Sequence, residues 1–176
     1  YMDMLEQTVK ALKSGQPLSE VTLNVDSVDV NLHIPALIPD KYIPDVHTRL
    51  NLYKRLASVT DVKEFRELQV EMIDRFGLLP NEVNYLIDVT TIKLQAEALG
   101  ITKVDANAHK GKIDFSATPN VDPLSIIKMV QTKPQHYQLR GANQLLFTQN
   151  MHSAQDRIEA VASILNAITI NDEAES

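Results

Sequence analysis

The sequence predicts an α+β fold. A helical N-terminal half is built around a helix–helix corner, and two hairpin–helix units follow, forming a small antiparallel sheet with helices on one face. Three observations carry this reading. Before Gly100, apolar residues recur mainly at helical spacing. From Ile101 the texture changes to short alternating runs joined by polar turns, each pair followed by an amphipathic helix. At residues 71–81, EMIDRFGLLPN, Gly77 supplies a helix stop and Pro80 suits a first helical residue.

In chain order, Met4, Leu5, Thr8, Val9 and Leu12 make one helical face, which Gly15 and Pro17 end. Residues 16–27 read as a connector. Val28, Val30, Leu32 and Ile34 then alternate with Asp29, Asn31 and His33, the period of a half-buried strand. Pro35 ends it, and Pro39 and Pro44 punctuate an extended turn. Pro44 opens a helix carrying Val46, Leu50, Tyr53, Leu56 and Ala57, with Arg49, Lys54 and Arg55 off that stripe.

Thr60 and Asp61 are N-cap candidates for the next helix, and Glu64 completes a capping-box pair with Asp61. That helix buries Phe65, Leu68, Met72 and Phe76 and projects Glu71, Asp74 and Arg75 from its other side. Leu78 is expected to fold back on the last turn as an apolar cap. A third helix places Val83, Leu86, Ile87, Thr90, Leu94 and Ala98 on one side and stops at Gly100.

In the second half, ITKVDA and GKIDFSA form a hairpin, and VDPLSIIKMVQ forms a helix capped by Asp122 with Pro123 at its first position. HYQLR and QLLFTQ form a second hairpin around Gly141, Ala142 and Asn143. A last helix, about 153–168, buries Ile158, Val161, Ile164, Leu165 and Ile168. The two hairpin–helix units suggest a weak internal repeat and a four-stranded antiparallel sheet with two helices on one face. The expected division is 1–27 helix and connector, 28–170 the domain proper, and 171–176 a disordered acidic tail.

Composition narrows the function. A chain of 176 residues, 44% hydrophobic and 23% charged, suits one compact domain with a sizeable core. A net charge of -6 opposes a role as a phosphate-backbone binder. Without cysteine there is no disulfide or thiolate chemistry, which fits the cytoplasm. No apolar run is long enough for a transmembrane helix, and no secretory signal opens the chain. The start inside an amphipathic helix reads as a fragment of a longer protein.

Neither a P-loop nor a dinucleotide fingerprint is present. His33, His47, His109, His136 and His152 have no helical metal-site spacing, so no metal is expected. No G-x-S-x-G elbow marks a nucleophile. The carboxylate pairs Glu64/Glu67 and Glu71/Asp74 fall on an exposed helix face. What remains is recognition. Either the charged corner docks on a partner, or Arg49, Lys54, Arg55, Lys110 and Lys112 form a nucleic-acid contact track. For the first three, a solvated face or a salt bridge to the corner carboxylates is the plainer reading.

The runs VNLHIPALIPDKYIPDVHTRLNLYKRLAS, EMIDRFGLLPNEV and KPQHYQLRG resemble the C-terminal domain of the bacterial transcription-repair coupling factors, the Mfd translocases, across nearly the whole chain. The first helix resembles the linker after the family's translocation motif. The resemblance implies a longer protein that binds duplex DNA, uses ATP and Mg to push a stalled RNA polymerase off a lesion, and recruits the excision-repair protein UvrA through a UvrB-like module. The motor motifs lie outside this chain, so no cofactor and no catalysis are expected of it. In the family this domain packs on the UvrB-like module and covers its UvrA-binding face, an autoinhibitory clamp in the bacterial cytoplasm. The interface glutamate, aspartate and arginine of the family's E-x-I-D-R-F-G motif match Glu71, Asp74 and Arg75.

Overall fold

A computed structural model describes residues 28–170. The expected first helix, the connector 16–27 and the acidic tail lie outside the described residues. The described chain divides into two compact units, residues 35–91 and residues 28–34 with 92–170.

The first unit contains α1 (Val46–Ala57), α2 (Val62–Phe76) and the first part of α3 (Asn81–Ala98). Asp45 caps α1 by accepting from the Thr48 N–H at 3.0 Å, so Pro44 precedes the cap instead of opening the helix. Asp61 caps α2 by accepting from the Lys63 N–H. The buried stripe of α1 is Leu52, Tyr53 and Leu56, whereas Val46 and Ala57 are exposed. Tyr53 sets that rotation, because its hydroxyl accepts the buried Ile38 N–H at 2.8 Å. Phe65, Leu68 and Met72 are buried along α2 as expected, and Phe76 is half-buried.

The corner differs from expectation in two details. Gly77 has φ +96°, a region that favours glycine, and the Tyr42 hydroxyl donates to the carbonyls of Gly77 (2.8 Å) and Met72 (3.2 Å). With those carbonyls satisfied by a side chain, the chain leaves α2 without wrapping back, and Leu78 is 87% exposed instead of capping the helix. Pro80 sits one residue earlier than predicted. Its carbonyl accepts from Val83 and Asn84, and α3 begins at Asn81. The expected single stripe on α3 gives way to burial on several sides, with Val89, Ile92, Lys93 and Ala96 buried and Ala98 exposed.

The second unit holds β1 (Asp29–Asn31), β2 (Ile101–Ala106), β3 (Lys110–Phe115), α4 (Pro123–Thr132), β4 (Tyr137–Arg140), β5 (Gln144–Thr148) and α5 (Ala154–Ala167). The sheet order is β1-β2-β3-β5-β4. The four strands of the two hairpins are antiparallel, as predicted, and their second strands, β3 and β5, meet at the centre. The strand read from residues 28–34 is short and joins as a fifth, parallel edge strand, Val30 beside Val104. A parallel neighbour requires a long crossover, here the whole helical segment between β1 and β2.

Val104, Ala106, Ile113, Phe115, Leu145 and Phe147 turn to the buried side. Gly111 lies under the Phe147 ring, and a Cβ there would fall 2.2 Å from a ring carbon, so no larger residue fits without displacing it. Asp122 and Ser153 cap α4 and α5, and all five residues predicted to be buried there are buried, four on α5 and Ile168 at its C-cap.

Two buried cations were not foreseen. Arg157 sits on the buried face of α5. Its guanidinium donates to the carbonyls of Met151 (3.0 and 3.1 Å), His152 (3.3 Å), Leu32 (2.8 Å) and His33 (3.3 Å), fastening the chain after β1 to the start of α5. Lys93 is buried on α3, and burial pushes its ammonium down to about 8 against the pull of Asp29 and Glu97.

Lys93→Met is therefore expected to stabilise the protein at pH 7 by ~1–3 kcal/mol. The folded state holds this proton less tightly than the unfolded chain, where the value is 10.5. The penalty is full below pH 8 and relieved as pH rises towards 10.5, so the advantage of the variant should shrink above pH 8. Urea titrations of both proteins at neutral and alkaline pH measure it.

Candidate functional site

The C-terminal half of α2 ends at the corner and carries all three residues singled out from the sequence, Glu71 and Arg75 flanking the buried stripe and Asp74 on the side away from it. Asp74 and Arg75 are exposed and Glu71 is half-buried. Helical geometry places Glu71 and Arg75 one turn apart, and the Arg75 guanidinium donates to the Glu71 carboxylate at 3.2 Å. Arg55 on α1 reaches the same carboxylate with both terminal nitrogens, one at 2.8 Å, in a fork-on-fork pair. This is the salt bridge anticipated for Arg55, and it spans two helices.

Arg55 holds the Glu71 carboxyl well below the usual range, at about 2; partial burial works the other way and Arg75 adds a smaller pull. Glu71 is thus an anion throughout the physiological range, with both oxygens engaged inside the unit. Its fork is already taken up by Arg55 within the unit. Its geometry fixes Arg75, whose guanidinium also lies 4.7 Å from the Phe76 ring centroid. Tyr42 meets the same ring edge-on at 5.9 Å and ties the helix end to the preceding turn. Asp74 forms no ion pair and no hydrogen bond through its carboxylate among the described residues.

Beside these charges lies an apolar ridge that the sequence reading missed. Val70 is 62% exposed, Ile73 and Leu78 are exposed as well, and the first two are three apart on α2. The signal was available: Val70 lies between Leu68 and Met72, and Ile73 follows Met72 off the stripe, so burying that stripe turns both outward. Exposed apolar residues beside the exposed Asp74 carboxylate have the make-up of a protein-docking surface, apolar centre and polar rim.

Two of the five cations of the basic track are engaged within the first unit. Arg49 donates to the carbonyls of Ile43 (2.6 Å) and Pro44 (3.0 Å), and Arg55 is held by Glu71, which leaves Lys54 exposed on α1. Lys110 and Lys112 lie on β3 in the second unit, lining a groove of about 360 Å3 with Asp105, His136, Gln138 and Arg140. Asp105 pairs with His33 at 3.1 Å and stands directly across from Lys112.

His109 and His152, far apart in sequence, stack edge-on with ring centroids 5.1 Å apart. Among the described residues no group of three or more His, Cys, Asp or Glu is placed to hold a metal ion. No described helix is long and apolar enough to cross a membrane.

The α+β fold is that of a domain of the transcription-repair coupling factors: the TRCF domain family model matches residues 32–126, and the chain belongs to that family. Over 171 residues it is 42% identical to the transcription-repair-coupling factor of Escherichia coli (strain K12), covering 97% of this chain and 15% of that protein. Against the corresponding factor of Haemophilus influenzae (strain ATCC 51907 / DSM 11121 / KW20 / Rd) the identity is 39% over 168 residues, with 96% and 15% covered. The chain thus spans about 15% of the length of these curated relatives. Its fold matches a crystal structure of the C-terminal domain of transcription-repair coupling factor, with TM-score 0.69 and 23% identity, over 80% of this chain and 91% of that one.

Proposed function

We propose that residues 28–170 act as a non-catalytic, autoinhibitory clamp, docking through the α2 corner on a UvrB-like module of the same polypeptide and masking the surface that UvrA uses. The observation that carries this reading is the corner's composition. Asp74 has no partner among the described residues, Arg75 is oriented by Glu71 and Phe76, and the exposed Val70 and Ile73 lie beside Asp74. An ionised side chain held in one geometry loses little entropy when a partner pairs with it. Such a surface also suits release, because its charged pairs weaken once water and salt return.

The intact protein is then a bacterial, cytoplasmic, ATP-dependent DNA translocase. It displaces stalled RNA polymerase, contacts duplex DNA and calls in nucleotide excision repair, with ATP and Mg bound in motor domains outside this chain. Engagement of the polymerase lifts the clamp and exposes the UvrA site. The rival reading, a nucleic-acid contact module, loses two of its five cations to internal bonds, those of Arg49 and Arg55.

The deciding experiment measures binding of this chain to a purified UvrB-like module of its own family, with UvrA added as competitor. Saturable binding that UvrA displaces is expected. Absence of binding, or simultaneous binding of both proteins, overturns the masking role, and salt-dependent binding of duplex DNA in its place favours the rival.

A further inference from the structure

We propose that the free edge of β4 is a docking site for an extended polypeptide segment in which apolar and acidic residues alternate, added to the sheet as a further strand. This site lies in the second unit and does not rest on the clamp reading.

The backbone argument comes first. The Phe115 N–H donates to Asn143, and the Gln149 N–H to His109, so the odd-numbered residues of β5 spend their backbone groups on β3. The Thr148 N–H donates to His136, so the even-numbered ones face β4. Antiparallel alternation then turns Gln138 and Arg140 towards β5 and leaves the N–H and C=O of Leu139 directed away from the sheet. Tyr137 differs, because its N–H is already taken by Lys133. Leu139 thus presents one donor and one acceptor in strand geometry with no partner strand among the described residues.

The side chains divide by face. Leu139 is directly across from the buried Leu145, so it points to the helix side, yet it is 50% exposed. On that side α4 packs beside β4 and buries only Ile126, while Leu124 is 74% exposed and Ile127 is exposed too. Arg140, on the opposite face, is exposed in the groove with His136 and Gln138. Charge then selects the occupant. Residues 123–155 contain no Asp or Glu, but include Lys128, Lys133 and Arg140, in a chain whose net charge is -6. Cations at an edge keep sheets of the same kind apart. Arg140, the cation on the edge strand itself, repels a second copy of this edge and favours a strand that turns apolar residues to Leu139 and carboxylates to Arg140.

The test uses the full chain with isotopic labelling and a capped peptide of about eight residues alternating valine and glutamate, a length that spans an ordinary strand. Amide exchange at Leu139 should slow by at least about tenfold on saturation, and Arg140→Glu should weaken the peptide by at least about tenfold. Leu139→Pro removes the outward N–H at an edge position where proline is tolerated and should abolish binding. If that variant does not fold, Arg140→Glu still decides. The proposal is overturned if Leu139 exchange is unchanged at saturating peptide, if a valine–lysine peptide binds as well, or if Arg140→Glu leaves affinity unaltered. Occupation of the edge by oligothymidylate and not by the acidic peptide would overturn it too, in favour of nucleic acid.

Discussion

Replacing Arg157 with methionine is expected to cost roughly 2–4 kcal/mol of stability, the largest effect of any single substitution away from the corner. The methionine fills most of the volume and removes a buried charge, which by itself would be favourable. It leaves the carbonyls of Leu32 and Met151, now paired with the guanidinium at 2.8–3.1 Å, without a donor in a buried place. Each such orphan costs about 1–3 kcal/mol. Leu32 follows the edge strand β1, so the loss falls where that strand is anchored. Arg157→Lys should recover only part of it, because an ammonium lacks the planar fork that reaches carbonyls on two segments. Thermal melts should drop by about 2–4 °C for each kcal/mol lost in a chain of this size. Melting at the parent temperature would refute the anchoring role.

Asp74→Lys is expected to separate docking from folding. The side chain is exposed and without an ion pair among the described residues, so stability should stay within about 0.5 kcal/mol of the parent. Affinity for the UvrB-like module should fall by about 2–5 kcal/mol if the carboxylate meets a cation in a desolvated interface. That corresponds to roughly thirty-fold to several-thousand-fold in Kd. Glu71→Lys behaves differently. It sets an ammonium between Arg55 and Arg75 in place of the anion they share, so melting temperature and affinity should fall together. Calorimetric titration and melting curves on both variants distinguish the roles. Unchanged affinity with Asp74→Lys would remove this residue from the docking surface. Unchanged melting with Glu71→Lys would show the bridge to Arg55 to be dispensable.

Much of this was legible in the chain because it rests on short-range patterning. The i, i+3, i+4 recurrence of Phe65, Leu68 and Met72 marks the buried side of α2 and, by exclusion, the outward side that carries Asp74. Asp61, Asp122 and Ser153 are caps readable from their own side chains and the residues that follow. The two hairpins follow from period-two runs around polar turns. Harder to read was whatever depends on a partner distant in sequence. Arg157 does carry a weak signal, a cation four residues before Val161 on an otherwise apolar stripe. Its partners near β1, 124 and 125 positions away, could not be inferred. Leu78 was misread because the Tyr42 hydroxyl, 35 residues earlier, satisfies the Gly77 carbonyl.

The sequence by itself determined the class of fold, the order of its elements, the position of the corner and the three charged residues on it. Periodicity, caps and turn residues act over a few positions and need no knowledge of the rest. Tertiary structure alone decided that Glu71 is a strut held by Arg55 and that, among the described residues, Asp74 has no ion pair and β4 is an edge strand whose Leu139 has no partner strand. Each of those depends on which side chain or strand arrives from elsewhere to fill, or leave vacant, a hydrogen-bonding position. Local propensity does not encode that choice; the packing of distant segments makes it.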